Sequence, residues 1–273
     1  FEIIGVGDAM RRLREGQPLP ARALSITFDD GYLDNLTRAL PVMQRYRAPF
    51  SLYVPTGGLD EGQMLWWDRV IALLAGTSRQ ELDLADVGLT PHPEIVSLKG
   101  VLAPASAERV LDLLWSVCPA TGGQVITELE RALGPARGLT LDAARLSPQQ
   151  IRDMRREGVE IGAHSVTHPN LELTDEAAAR REMQVSRQTL ENLLQEPVTG
   201  FAYPGGRMHR VAQRLTRELG FGYALSTVSG INAPDYEATR LRRIGMPDAE
   251  LPDFRRAFSL ALLRGLSDTS LRF

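Results

Sequence analysis

A short apolar run, residues 23–28, stops at two adjacent carboxylates, Asp29 and Asp30, and Gly31 follows. A run this short and apolar reads as a strand buried on both faces, as in parallel sheets covered by helices. The carboxylates then sit at its carboxyl end, and Gly31 turns the chain into a helical pattern over residues 35–46. There Leu36, Leu40, Met43 and Tyr46 recur at helical spacing. Pro49 ends that stretch, and residues 50–54 form the next apolar run. Strand, helix, strand is the pattern of a parallel βαβ unit. Adjacent negative charges repel unless something positive lies between them, and a divalent cation is the usual answer.

Upstream, residues 2–4 read as a short strand and 6–15 as a short helix closed by Gly16. After residue 146 the alternation resumes. Ser147-Pro148-Gln149-Gln150 is a helix start with a capping box, and Gly158 ends that helix. Residues 159–163 form a strand that ends at His164. Thr174 caps a long helix to about residue 195, and residues 199–203 form a strand ending at Pro204-Gly205-Gly206. A helix over 211–219, strands over 223–226 and 239–244, and a helical run over 252–263 complete the chain. At least five strands alternating with helices suit either a barrel or an open doubly wound sheet. Both bind ligands beyond the carboxyl ends of their strands.

Residues 59–146 break this alternation. Helical runs over 66–74, 107–118 and 124–133 are separated by loops, and no strand stands out. The joints Gly57-Gly58 and Gly134-Pro135 flank most of the stretch. Structureless loops of that length are uncommon, so 59–146 reads as a helical insertion. It is expected over the carboxyl-terminal face of a domain made from 1–58 and 147–273. Its aromatic residues, Trp66, Trp67 and Trp115, are expected to pack the insertion rather than meet a ligand.

The composition of the 273 residues narrows the function classes. Net charge is −3, with 31 basic residues against 34 acidic ones, so no bulk electrostatic attraction to nucleic acid is built in. The lone cysteine, Cys118, excludes an internal disulfide and reads as a buried small hydrophobe in a helix. No apolar run approaches the roughly 18 residues of a membrane span. Phe1-Glu2-Ile3-Ile4 reads as the interior of a longer chain, and the charge balance and lone cysteine suggest the cytoplasm. No glycine-rich phosphate loop follows a strand, which argues against a nucleotide or redox role.

His164-Ser165-Val166-Thr167-His168 places two imidazoles four residues apart after a buried strand, and Pro169 follows. Two imidazoles and one carboxylate suit zinc or another borderline divalent ion with open positions. The adjacent carboxylates can then divide their roles, one on the metal and one taking a proton from water whose pKa the metal lowers to about 7.

Three segments together resemble the first three motifs of the polysaccharide deacetylase family, or NodB-homology domain. They are Thr27-Phe28-Asp29-Asp30-Gly31, His164-Ser165-Val166-Thr167-His168 and Phe201-Ala202-Tyr203-Pro204-Gly205-Gly206. The resemblance implies a distorted (β/α) barrel that removes acetyl groups from N-acetylated sugars or O-acetylated xylan with a divalent ion, usually zinc. It makes Asp29 the general base, and Asp30, His164 and His168 the metal ligands. Ser165 becomes a loop brace, Gly205 the donor of a backbone N–H to the oxyanion, and Tyr203 and Pro204 substrate contacts. Glycine can keep the Gly205 role, because only an amide is needed.

Two departures from the family pattern bear on the mechanism. Ala202 stands where the family has an arginine paired with the base, as in the branch acting on exopolysaccharides such as poly-N-acetylglucosamine. Arg243 is the candidate replacement, and Arg242 its alternate-face neighbour. The family's Leu-x-His motif, which carries the general acid, has no counterpart after His209, leaving His209 as a candidate. The expected substrate is an N-acetylated polysaccharide or oligosaccharide. An O-acetyl esterase and a weakly catalytic glycan-binding protein stay open as alternatives, as does the oligomeric state.

Overall fold

The computed structural model describes residues 1–98, 104–117, 119–134, 143–232 and 236–246. Cys118 and the helical run expected over 252–263 lie outside them. In chain order the elements are β1 (Glu2–Ile3), α1 (Val6–Arg14), β2 (Ala23–Leu24), β3 (Ile26–Phe28), α2 (Leu40–Arg45), β4 (Phe50–Val54) and α3 (Trp66–Gly76). Then come β5 (Glu81–Asp83), β6 (Ile95–Ser97), α4 (Pro104–Trp115), α5 (Pro119–Leu133), α6 (Pro148–Arg156) and β7 (Glu160–Ala163). The last are α7 (Glu176–Leu194), β8 (Gly200–Ala202), α8 (Arg210–Glu218) and β9 (Tyr223–Leu225). The chain divides into two compact units, Phe1–Gly57 with Pro148–Phe273, and Gly58–Ser147.

The first unit holds a curled half-barrel of parallel strands in the order β3-β4-β7-β8-β9, with β1 and β2 as a separate parallel pair. Every residue of β4, β8 and β9 is buried, whereas the run 23–28, expected as one strand buried on both faces, is half-buried throughout and splits into β2 and β3, which belong to different sheets. Several details differ from the pattern in the sequence. Residues 35–39 wind as a π-helical turn before α2. The cap of α7 is Asp175, whose side chain accepts from Ala178 N–H, and not Thr174, whose hydroxyl donates back to Asn170 O. The strand expected over 239–244 is a 3-10 turn, Ala238–Arg240, followed by a single parallel bridge from Leu241 to Leu225.

The inner face of this half-barrel carries a polar cluster that no local pattern announces. Tyr53 and Tyr223 hydroxyls lie 3.0 Å apart, and Tyr223 donates to Glu160 Oε1 at 2.6 Å. Ser51 Oγ and the Gly7 N–H both donate to Glu160 Oε2. Gly7 is in the first turn of α1, whose unpaired amides and positive end suit a carboxylate. The rings need room, and glycines give it: a Cβ at Gly162 would lie 2.4 Å from the Tyr53 ring. Gly162→Ala should therefore cost about 1–3 kcal/mol by overpacking. Thermal unfolding checks this, and a variant that melts with the wild type would disprove it.

The second unit contains α3, α4 and α5 and also an antiparallel ribbon, Glu81↔Ser97, Leu82↔Val96 and Asp83↔Ile95. The purely helical reading of 59–146 is thus corrected. Each ribbon strand has three residues and buries only its central one, Leu82 or Val96, too little for a period of two to show. Asp83 Oδ1 fixes the connection by accepting from Ala85 and Glu94 N–H. The unit has its own apolar core, including Val70, Leu84, Val110 and Leu129. Trp66 packs against that core and stacks on Trp115 at 5.9 Å.

Candidate active site

Three strand ends of the first unit carry the residues with chemistry, and their backbones are strained in the same way. Asp30 (φ 72°), Ser165 (φ 66°) and His168 (φ 56°) all adopt left-handed conformations, as do Gly31, Gly205 and Gly206. Non-glycine residues held there cost on the order of 1–3 kcal/mol each, and persist only where the surroundings over-determine them. At Gly31 a side chain would be crowded as well as strained, since a Cβ would lie 3.0 Å from Val54 Cγ1.

The turn after β3 and the loop after β7 bring Asp30, His164 and His168 together. Nε2 of each histidine lies 3.6 Å from Asp30 Oδ1, and one ligand atom from each of the three residues falls within 4.8 Å of the others. Among the described residues this is the cluster whose geometry could hold a metal ion. His164 Nδ1 lies 2.7 Å from Ala202 O, and a carbonyl can only accept. The Nδ1 therefore carries the proton and Nε2 turns a lone pair toward Asp30, the arrangement of a metal-ligating histidine. Burial, with His164 adding to it, pushes the His168 imidazolium well below its ordinary pKa, so that ring is neutral as a ligand must be. Two neutral imidazole nitrogens and a carboxylate fit zinc or a similar divalent ion. Ser165 is fully buried and braces the loop: its hydroxyl donates to His164 O and accepts from His168 N–H at 3.1 Å.

Asp29 is placed differently. Arg243 grips it with a two-pronged fork, Nη1 to Oδ1 at 2.9 Å and Nη2 to Oδ2 at 2.7 Å. The guanidinium is itself fixed by Nε donating to Ser226 O at 2.9 Å. Burial alone would raise the Asp29 pKa. The charge of Arg243 and its two hydrogen bonds oppose this, and the carboxyl lies below its ordinary value. Arg242 points elsewhere, its Nη1 donating to Ser229 O.

Gly205 is the exposed residue of a 3-10 turn, Pro204–Gly206, and has φ 56°. First-turn amides of a helix have no partner within it, so its N–H is suited to an external acceptor. Tyr203 corrects the expectation of a substrate contact. It is fully buried, with its hydroxyl 2.7 Å from Thr216 Oγ1 and donating to Thr239 O. Strand alternation explains this: Tyr203 shares the face of Phe201, whose ring is 5.3 Å away, while Ala202 faces the opposite side. Pro204 is buried as well and offers its side chain no such contact. His209 caps α8, its Nδ1 accepting from Ala212 N–H at 3.2 Å, and does not belong to the Asp30 cluster.

Known proteins share this architecture. The Streptococcus pyogenes deacetylase PplD, solved in complex with acetate, superposes with a TM-score of 0.57 at 19% identity, over 89% of this chain and 72% of that one. IcaB from Ammonifex degensii gives 0.56 at 16% identity, over 95% and 82%. At such identity the likeness concerns the fold, a (β/α) half-barrel with helices outside. The sequence model described as polysaccharide deacetylase matches residues 117–224. Over that segment the chain is similar to the polysaccharide deacetylase family. A poly-beta-1,6-N-acetyl-D-glucosamine N-deacetylase of Escherichia coli strain K12 is 33% identical over 57 residues, 21% of this chain and 8% of that protein. The chain thus spans far less than two thirds of that curated relative. The segment matched by the family model holds His164, His168 and Gly205, while Asp29, Asp30 and Arg243 lie outside it.

Proposed function

We propose that this protein is a polysaccharide deacetylase that hydrolyses N-acetyl groups on N-acetylhexosamine units of an exopolysaccharide or related glycan. The observation that carries the reading is the division between two neighbouring carboxylates. Asp30 meets two neutral imidazoles, while Asp29 is clamped by Arg243. Asp30, His164 and His168 would hold a divalent ion, zinc by its donor set, which when bound supplies a Lewis acid and lowers the pKa of water to about 7. Asp29 stays ionised and takes a proton from the attacking water. Each of its oxygens faces one Arg243 nitrogen and keeps a further lone pair for that proton. A carboxyl kept acidic by Arg243 also returns the proton readily to the departing amine. Gly205 N–H is the donor for the oxygen that gains charge in the transition state. The N-deacetylase activity of the Escherichia coli relative, and the acetate held by the Streptococcus pyogenes deacetylase, favour this chemistry over other acyl transfers.

The test is acetate release from β-1,6-linked N-acetylglucosamine oligomers, followed by mass spectrometry, with chelator abolishing activity and zinc restoring it. Release from O-acetylated xylan but not from these oligomers would replace amide hydrolysis with ester hydrolysis. His168→Ala should lose metal and turnover together. Full zinc occupancy in that variant by elemental analysis would break the ligand assignment.

A further inference from the structure

Outside the cluster itself, the Ser165-Val166-Thr167 loop is fastened by a residue the sequence did not single out. Glu182 stands on α7, whose buried stripe Ala179, Met183, Ser186 and Leu190 makes it a fixed element. Its Oε2 accepts from both Val166 N–H and Thr167 N–H at 2.8 Å, and its Oε1 accepts from the Thr167 hydroxyl at 2.8 Å. The carboxylate thus faces two successive backbone amides and a hydroxyl, all between the two histidines. From the opposite side, Thr56 N–H donates to Ser165 O at 3.0 Å and Gly57 N–H to Val166 O at 2.8 Å. Space there is fully used, because a Cβ at Gly57 would lie 2.7 Å from Val166 O.

We propose that Glu182 is a positioning residue for the metal site, holding the loop so that the Nε2 atoms of His164 and His168 both reach the ion. This rests on the reading that Asp30, His164 and His168 bind a divalent ion. Ser165 and His168 sit in left-handed conformations that the loop would leave if released. Ser165 Oγ ties His168 to the loop's start, and Glu182 and the residues after β4 tie the loop to rigid elements. Releasing Thr167, next to His168, therefore lets the second ligand turn away from the first. Outer contacts that orient metal ligands change affinity by about 10–100-fold when removed.

The experiment measures zinc affinity by chelator competition, and the visible spectrum of the cobalt(II)-substituted protein, for wild type, Glu182→Ala and Glu182→Gln. Glu182→Ala should weaken zinc binding by about 10–100-fold and alter the cobalt spectrum. Glu182→Gln should recover most of the affinity. Its amide oxygen can accept both N–H groups while its NH₂ donates to Thr167 Oγ, so position is kept and charge is lost. A residue that merely supports folding would lower the melting temperature of the metal-free protein without changing affinity or spectrum. Wild-type affinity and spectrum in Glu182→Ala would overturn the proposal. Should that variant fail to fold, Thr167→Val removes one of the three contacts at an exposed position, and unchanged affinity there would overturn it equally. Failure of the wild type to bind zinc or cobalt would instead bring down the metal reading itself.

Discussion

Replacing Asp29 with Asn should lower turnover by about 10²–10⁴-fold, the usual contribution of a positioned proton-transfer group, while zinc content stays at the wild-type level. The two halves of this result come from separate contacts. Both Asp29 oxygens are engaged by Arg243, whereas the ligand cluster uses Asp30. Asparagine keeps the size of the side chain and one acceptor for Arg243, but its amide cannot take a proton at neutral pH. Binding of the glycan should change less than turnover, because the missing step occurs after binding. The measurement is kcat and KM on an N-acetylglucosamine oligomer beside elemental analysis of the same preparation. Wild-type turnover would remove Asp29 from the chemistry. Loss of zinc in step with activity would move it into the ligand set.

The positions of these groups could be read in the sequence to an uneven extent, and the reasons are physical. Asp29-Asp30, His164 and Pro204-Gly205-Gly206 end apolar runs, and a parallel sheet gathers such ends on one side, so three distant segments declared a common location. Arg243 carried a weaker signal. The pattern around it suggested a strand, but the chain makes only a 3-10 turn and one bridge to β9 before the guanidinium reaches Asp29. Tyr203 was readable but misread: counting by twos from Phe201 puts it on the face of that ring and away from Ala202, and the motif position drew attention away from that count. Glu160 and Glu182 had no local signature at all. Their partners are Gly7, Ser51 and Tyr223 for one, and Val166 and Thr167 for the other. Most of these acceptor contacts are to backbone amides or hydroxyls, which impose no residue pattern that a charge or periodicity argument could detect. The ribbon β5-β6 escaped for a different reason, since one inward residue per strand is no period.

Arg243→Ala should move the acidic limb of the pH–rate profile upward, with zinc still bound. In the wild type, burial works to raise the Asp29 pKa, the charge and hydrogen bonds of Arg243 oppose it, and the carboxyl lies below its ordinary value. Removing the guanidinium leaves the burial in place and takes away a principal counterweight, so the carboxyl protonates at higher pH and less of it can act as a base. Stability follows with a definite sign. A folded pKa below the unfolded value of about 3.9 means that the pair contributes stability at neutral pH, and this is lost as pH falls through the folded value. The deficit of Arg243→Ala relative to wild type should accordingly be largest at neutral pH and shrink in acid. Breaking a buried ion pair costs about 3–5 kcal/mol. The lower end applies here, because the Asp29 and Arg243 side chains keep 25% and 16% of their exposure. Arg243→Lys should fall between the two, restoring charge without the planar fork that meets both oxygens. Thermal melts at neutral and acidic pH, beside pH–rate profiles of the three proteins, decide the matter. An unmoved acidic limb in Arg243→Ala would show that Asp29 is held ionised without the arginine, and Asp29 would remain the base with a different partner.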